Sequence, residues 1–115
     1  MLEVTARRGA SGIFSITAEG HTGFSDAGTD IVCAAVSVLM QALLVGLEDV
    51  LELEGVASFS DPEIPLVTVE WDEDSLPARQ LAATILLSLA GVADTYPDFV
   101  RVTEVIEEDD DDDDD

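Results

Sequence analysis

An apolar stretch at positions 29–55 sets the architecture of this chain. It reads TDIVCAAVSVLMQALLVGLEDVLELEG. Thr29 or Asp30 offers a side-chain oxygen to the unpaired N–H groups of a helix start. Gly55 is typical of the residue that follows a helix end. The stretch therefore predicts one long helix from residue 30 to about residue 53.

This predicted helix is apolar on nearly every side, since Ser37 and Gln41 are the clearly polar residues at positions 31–47. A membrane span is one interpretation, but the run is short for a span and lacks flanking Lys and Arg residues. A helix of this kind is more often buried on two sides. In a domain this small, the second side of the helix would be buried against a partner subunit. We therefore expect a homodimer.

The segments on either side predict a sheet and a second helix. Ser75 and Pro77 are typical of a helix start, and Pro97 ends the helix after about residue 96. Alternation of apolar and polar residues predicts strands at 2–8, 13–18, 56–59, 66–71 and 99–106. The prediction is a two-layer α+β fold, in which a mostly antiparallel five-stranded sheet carries two helices in the order ββαββαβ.

The strongly acidic composition of the chain excludes several classes of binding partner. The chain of 115 residues has 26 acidic residues against four arginines and a net charge of −22. Nucleic acid and anionic lipid surfaces both need clustered basic residues, so we expect neither as a partner. A basic protein suits this charge far better. Residues 1–106 predict a single domain, and the nine acidic residues at 107–115 predict a disordered tail.

Cysteine usage and the first residues indicate the compartment. The one cysteine excludes an intramolecular disulfide, and no Cys/His cluster offers ligands to zinc. We therefore expect no metal site. The first residues lack the positively charged and apolar segments of a secretory signal, which makes the cytoplasm the expected location.

The single histidine and the single cysteine flank a glycine-rich loop. Cys33 falls in the first turn of the long helix, where unpaired N–H groups stabilise a thiolate and lower the thiol pKa. Gly23 and Gly28 allow backbone conformations that fold His21 back over the helix start. A histidine at that place can take the thiol proton. The pattern predicts a Cys–His pair for nucleophilic catalysis, with first-turn N–H groups as an oxyanion hole.

Structural roles are the alternatives at each of these positions. Cys33 lies among apolar neighbours, and an unpaired cysteine is usually an inert core residue. His21 is alternatively a surface residue, and Asp30 is alternatively the N-cap of the helix. Ser37 lies one turn after Cys33 on the same helix face. It would either orient a substrate carbonyl or a catalytic group, or only pack against another element.

The residues around this pair resemble the signature of the bacterial ribosomal-processing cysteine proteases, the Prp family. That signature has Gly-His, six variable positions, Gly-x-Asp-Ile-Val-Cys-Ala, and a serine four residues after the cysteine. The matching residues here are Gly20-His21-Thr22 and Gly28-Thr29-Asp30-Ile31-Val32-Cys33-Ala34-Ala35-Val36-Ser37. Apart from the acidic tail, the remaining chain agrees with the family in length and element order.

The resemblance implies a specific activity. Members are small cytoplasmic α/β homodimers that remove a short N-terminal extension from large-subunit ribosomal protein twenty-seven without a cofactor. Cys33 matches the nucleophile and His21 the general base and acid, while Asp30 and Ser37 match further motif positions. The loop from Gly20 to Gly28 matches a flexible segment that moves to admit the peptide.

Two other classes of function are consistent with the residues. The first is a non-catalytic acidic binding module, or chaperone, for a basic ribosomal protein; it would form a stable complex and release no product. The second is a redox-sensing or acyl-carrying thiol protein, which would form an adduct at Cys33 without using His21.

Overall fold

The elements follow the predicted order ββαββαβ. The computed structural model describes residues 1–20, 31–61, 66–72 and 75–107. The elements within these ranges are β1 (Leu2–Gly9), β2 (Gly12–Glu19), α1 (Ile31–Val45, continued by a π-helical turn at Gly46–Val50), β3 (Val56–Asp61), β4 (Leu66–Trp71), α2 (Leu76–Thr95) and β5 (Val100–Ile106).

The five strands form one mixed sheet with the spatial order β3-β4-β2-β1-β5. The β1–β2, β2–β4 and β3–β4 pairs are antiparallel, whereas β1 and β5 are parallel. Parallel neighbours need a crossover connection, which α2 supplies before the chain returns as β5. The predicted two-layer α+β fold with a mostly antiparallel sheet is thus confirmed.

One sheet face packs against the two helices and forms the core. Its fully buried residues alternate along the strands, as the period of two predicts. They include Val4 of β1, Ile16 of β2 and Val69 of β4, and they meet Leu43 of α1 and Leu89 of α2. On the opposite face Thr17 and Thr68 lie side by side, with their hydroxyl oxygens 3.0 Å apart.

The first helix ends earlier than predicted. It changes to a π-helical turn at Gly46 and stops at Val50, rather than continuing to residue 53. The physical reason is Glu52, whose φ of 56° is left-handed and cannot continue a helix. The N–H of Leu53 then donates to the carbonyl of Leu47 at 3.0 Å and closes the helix end. The predicted terminator, Gly55, lies beyond this point.

The second helix begins as predicted. Ser75 is its N-cap, and the Ser75 hydroxyl accepts a hydrogen bond from the N–H of Ala78 at 3.3 Å. Both helices are long and apolar enough to span a membrane by length and composition. Those two properties do not distinguish a span from a core helix, and both helices here contribute residues to the core on the sheet.

Glu107, the first residue of the predicted tail, is hydrogen-bonded to the end of the sheet. Its N–H donates to the carbonyl of Arg8 at 2.8 Å, and its carboxylate pairs with Arg7 at 2.7 Å. These bonds continue the β1–β5 pairing past the end of β5. The predicted disorder of residues 108–115 falls outside the described residues.

Candidate active site

A pocket of about 200 Å³ lies at the N-terminal end of α1. Cys33, the third residue of α1, is half-buried and lines this pocket together with Ser37, one helical turn later. Cys33 also packs against the core. The cysteine therefore borders an opening and is not enclosed by hydrocarbon on all sides, as its inert structural alternative would require.

The start of the predicted loop reaches the same pocket. Strand β2 ends at Glu19, and both Glu19 and Gly20 line the pocket with Cys33. Gly20 has a φ of 103°, and a Cβ atom there would lie 2.6 Å from the carbonyl oxygen of Met1. A side chain has no room at this turn, so the residue must be glycine.

The described residues include three of the predicted site positions. Cys33, Ser37 and Gly20 line one pocket. His21, Gly23, Gly28 and Asp30 lie outside the described residues, so their predicted roles stay predictions.

Strand β3 contributes a wall of the pocket that the sequence did not reveal. The strand was predicted to end at residue 59, but it continues through Ser60 and Asp61, which pair with Val67 and Leu66 of β4. The segment from Asp61 to Glu63 resembles a turn because of its Asp-Pro pair. Pairing with β4 extends the strand to Asp61, and both Ser60 and Asp61 line the pocket.

Two of the residues that line the opening are acidic. The carboxylates of Glu19 and Asp61 belong to residues that line the pocket. Three of the four arginines are paired elsewhere: the guanidinium groups of Arg7, Arg8 and Arg101 lie 2.7, 3.2 and 2.5 Å from carboxylate oxygens of Glu107, Glu104 and Glu3. These three pairs are at the β1–β5 side of the sheet. A cationic peptide approaching Cys33 would thus meet carboxylates.

The described residues offer no site for a metal ion. Nowhere in ranges 1–20, 31–61, 66–72 and 75–107 do three His, Cys, Asp or Glu side chains come together in a ligating group. The chemistry that these ranges support is that of a thiol at a helix N-terminus. There the N–H groups of the first turn point away from the helix and favour negative charge.

The fold and the pocket place the chain among small α+β proteins with a cysteine at the start of a pocket-lining helix. The sequence model of one such family, described as cysteine protease Prp, matches residues 1–101. The chain therefore belongs to the Prp family of cysteine proteases, which acts in ribosomal processing.

Known relatives agree with this assignment. The ribosomal processing cysteine protease Prp of Mycoplasma pneumoniae is 29% identical over 85 residues, which cover 74% of this chain and 81% of that protein. A crystal structure of a Streptococcus mutans protein is 26% identical, with a TM-score of 0.79 over 93% of this chain and 96% of the other.

The fold is also that of the essential Prp protease of Staphylococcus aureus, solved with a covalently linked product peptide. It has a TM-score of 0.81 and 21% identity, and the match covers 91% of this chain and 100% of the other.

Proposed function

We propose that this chain is a cysteine endopeptidase that removes a short N-terminal extension from large-subunit ribosomal protein twenty-seven. Cys33 is the nucleophile and His21 is the general base and acid. The observation that carries the proposal is the position of Cys33 in the first turn of α1, at a pocket that Gly20 also lines. His21 is the next residue after Gly20, so chain connectivity favours an approach of its imidazole to the sulfur.

The reaction follows the acyl-enzyme route. His21 takes the proton from Cys33 Sγ, and the thiolate attacks the scissile carbonyl carbon to form a C–S bond. First-turn N–H groups of α1 donate to the resulting oxyanion. The imidazolium of His21 then donates its proton to the leaving amine as the C–N bond breaks. Water, deprotonated by His21, attacks the thioester carbonyl carbon; the C–S bond breaks, the Cys33 thiolate and the His21 imidazolium are regenerated, and the extension leaves as a carboxylic acid.

The remaining motif residues support this pair. Ser37 lines the pocket one turn from Cys33, and its hydroxyl is proposed to orient a substrate carbonyl or a catalytic group. Asp30 precedes α1 and is proposed to cap the helix or to hold a catalytic group. Gly23 and Gly28 lie in the connection between β2 and α1 that is proposed to move as the peptide enters.

Charge supports a basic substrate. The chain carries a net charge of −22, and carboxylates of Glu19 and Asp61 lie at the pocket. Ribosomal proteins are strongly basic, so the field of the enzyme attracts them and speeds encounter. A substrate that enters ribosome assembly also makes the cytoplasm the proposed compartment.

The direct test is incubation of the purified chain with the extended ribosomal protein, followed by mass spectrometry of the new N-terminus. We expect one cut and a mature protein that lacks the extension. A stable complex with no product would instead identify a binding module. If Cys33→Ala lost cleavage while His21→Ala cleaved at the wild-type rate, the chain would be a thiol protein that does not use the proposed pair.

The pair can be tested without a substrate. We expect His21→Ala to lower the alkylation rate of Cys33 by iodoacetamide about tenfold or more at pH 7, because the variant lacks the base that maintains the thiolate. The difference should vanish above about pH 9, where an ordinary thiol ionises by itself. Equal rates at pH 7, measured by intact-mass spectrometry, would contradict a resting Cys–His pair.

A homodimer is proposed from the outer face of α1. Ile31, Val38 and Val45 are 59%, 62% and 49% exposed, and their spacing of seven residues places them in one apolar stripe. We propose that a second copy of the chain packs against this stripe.

We expect light scattering after size-exclusion chromatography to give twice the chain mass, and Val38→Glu to give a monomer. Thr103→Glu, on the opposite side of the sheet, should leave the dimer intact. A wild-type monomer at micromolar concentration would contradict the proposal.

A further inference from the structure

A cavity of about 260 Å³ lies at the β3 edge of the sheet, on the face turned away from the helices. Side chains alternate between the two faces of a strand, and Val69 and Trp71 of β4 are buried in the core. Their neighbours on β4 therefore face away from the helices, as do the β3 residues that pair with those neighbours. The lining residues are Ala57, Ser58, Phe59, Thr68 and Glu70. We refer to this cavity as the β3–β4 cavity.

Phe59 is an aromatic side chain that the core does not use. It is 57% exposed, and it lies on the edge strand β3 opposite Thr68 of β4. The face of an aromatic ring carries partial negative charge, so it attracts the cationic end of a Lys or Arg side chain. The ring therefore offers an approaching protein more than apolar surface.

Glu70 places a carboxylate beside this ring, among uncharged cross-strand neighbours. Its partners are Ala57 on β3 and Ser15 on β2. Arg7 lies in the same row two strands away, which is about 10 Å, and it is already held in an ion pair. Arg79 belongs to α2, in the helix layer. A basic side chain from another molecule would supply the counter-charge for this carboxylate.

The ring and the carboxylate are placed to hold one cation between them. Phe59 pairs with Thr68, and Glu70 pairs with Ala57, so Phe59 and Glu70 are diagonal neighbours about 7–8 Å apart. An ammonium or guanidinium group between them would lie within about 6 Å of the ring centroid and could donate hydrogen bonds to the carboxylate. The methyl group of Ala57 leaves room for the apolar stem of such a side chain.

We propose that the β3–β4 cavity binds a Lys or Arg side chain of the basic protein substrate at a place separate from the active-site pocket. This inference rests on the proposed function, in which the substrate is a basic ribosomal protein. The net charge of −22 attracts such a protein from every side. The cavity adds one contact of defined geometry, which general attraction cannot provide.

Strands β3 and β4 connect the cavity with the pocket. Asp61, which lines the active-site pocket, follows Phe59 by two residues, or about 7 Å along β3. Leu66, which also lines that pocket, lies about 13 Å from Glu70 along β4. One substrate molecule can therefore occupy both places. A contact in the cavity does not involve the reacting atoms, so its loss should raise KM and leave kcat unchanged.

The test measures binding of the mature ribosomal protein, which lacks the extension, so no cleavage step is involved. Titration calorimetry at about 0.15 M salt limits long-range attraction, because the Debye length is then about 8 Å. We expect Glu70→Lys to raise the Kd at least about tenfold, since it replaces an attraction by a repulsion. Glu48→Lys makes the same change of net charge at an exposed residue on the helix side and should raise the Kd less than about twofold.

Two substitutions of Phe59 separate contact with a cation from apolar contact. Phe59→Leu keeps apolar bulk but removes the ring, and it should raise the Kd about threefold. Phe59→Trp keeps a ring with a stronger attraction for cations, and its Kd should equal or fall below the wild-type value. Residue 59 is exposed on an edge strand, so thermal unfolding should show both variants folded.

Equal Kd values for Glu70→Lys and Glu48→Lys would overturn the proposal, because general charge would then explain the attraction. A wild-type Kd in Phe59→Leu would overturn it, and so would a wild-type chain that does not bind the mature protein. If Phe59→Leu instead changed the chain mass in light scattering, the cavity would be an interface between copies, which also contradicts the proposal. Failure of the proposed function is distinct from these outcomes, because the cleavage assay on the extended protein reports it separately.

Discussion

Replacement of Cys33 by alanine is expected to abolish cleavage of the extended ribosomal protein, with a loss of at least about 10,000-fold in kcat. In the proposed mechanism the sulfur forms the covalent bond to the acyl group, and no methyl group can replace it. A pocket that lacks the nucleophile still binds the peptide, so the variant should retain substrate affinity. A time course with mass spectrometry of the new N-terminus measures the loss.

The matched control is Ser37→Ala, one turn further along the same pocket wall. A residue that orients the carbonyl contributes less than the nucleophile, so we expect a decrease of about 10- to 100-fold. Thermal unfolding should show both variants folded, because Cys33 is half-buried and alanine removes one atom. Continued cleavage by Cys33→Ala at the wild-type rate would refute the assignment of the nucleophile.

Much of the fold is predictable because its signals are local. Strand β4 has the predicted bounds, since its alternation is undisturbed from residue 66 to residue 71. The start of α2 follows from the Ser75 cap and the proline behind it. These signals lie in residues that are adjacent in the sequence, so they can be recognised without knowledge of the fold.

Features set by distant residues are not predictable in the same way. The parallel pairing of β1 with β5 joins Leu2 to Val100, and no local pattern specifies it. The extension of β3 through Asp61 depends on its partner β4. The helix end at Glu52 arises from a left-handed backbone at a residue type that seldom adopts one.

The residues of the site also differ in whether the sequence alone can predict them. Cys33 and His21 could be selected because each is unique in the chain and both flank one loop. Met40 and Asp61 could not, because neither residue carries a distinctive motif. They line the pocket because α1 packs over the sheet and β3 pairs beside β4. The candidate catalytic side chains are thus visible in the sequence, whereas the pocket beside Cys33 is a property of the fold.

Gly20→Ala is expected to cost about 2 to 4 kcal/mol of stability. The φ of 103° at this residue is strained for any residue with a Cβ, and the added carbon would lie 2.6 Å from the carbonyl oxygen of Met1. The main chain there cannot move cheaply, because the next N–H, that of Leu2, donates to the carbonyl of Phe99 at 2.9 Å and Leu2 is buried. Urea denaturation measures the cost.

The measured loss of activity should exceed the part that the loss of stability explains, because we propose that Gly20 sets the direction in which the chain continues to His21. Gly12→Ala separates the two effects: Gly12 also has a positive φ, 118°, but its Cβ would lie 3.8 Å from the nearest atom, in the side chain of Arg79. It should lose stability while kcat/KM at a temperature where it is folded stays at the wild-type value. Gly91→Ala, within α2 four residues before its end at Thr95 and with open space around its Cβ, should gain about 0.5 to 1 kcal/mol. If folded Gly20→Ala protein cleaved as fast as Gly12→Ala, Gly20 would be needed only for the stability of the sheet and not for the placement of His21.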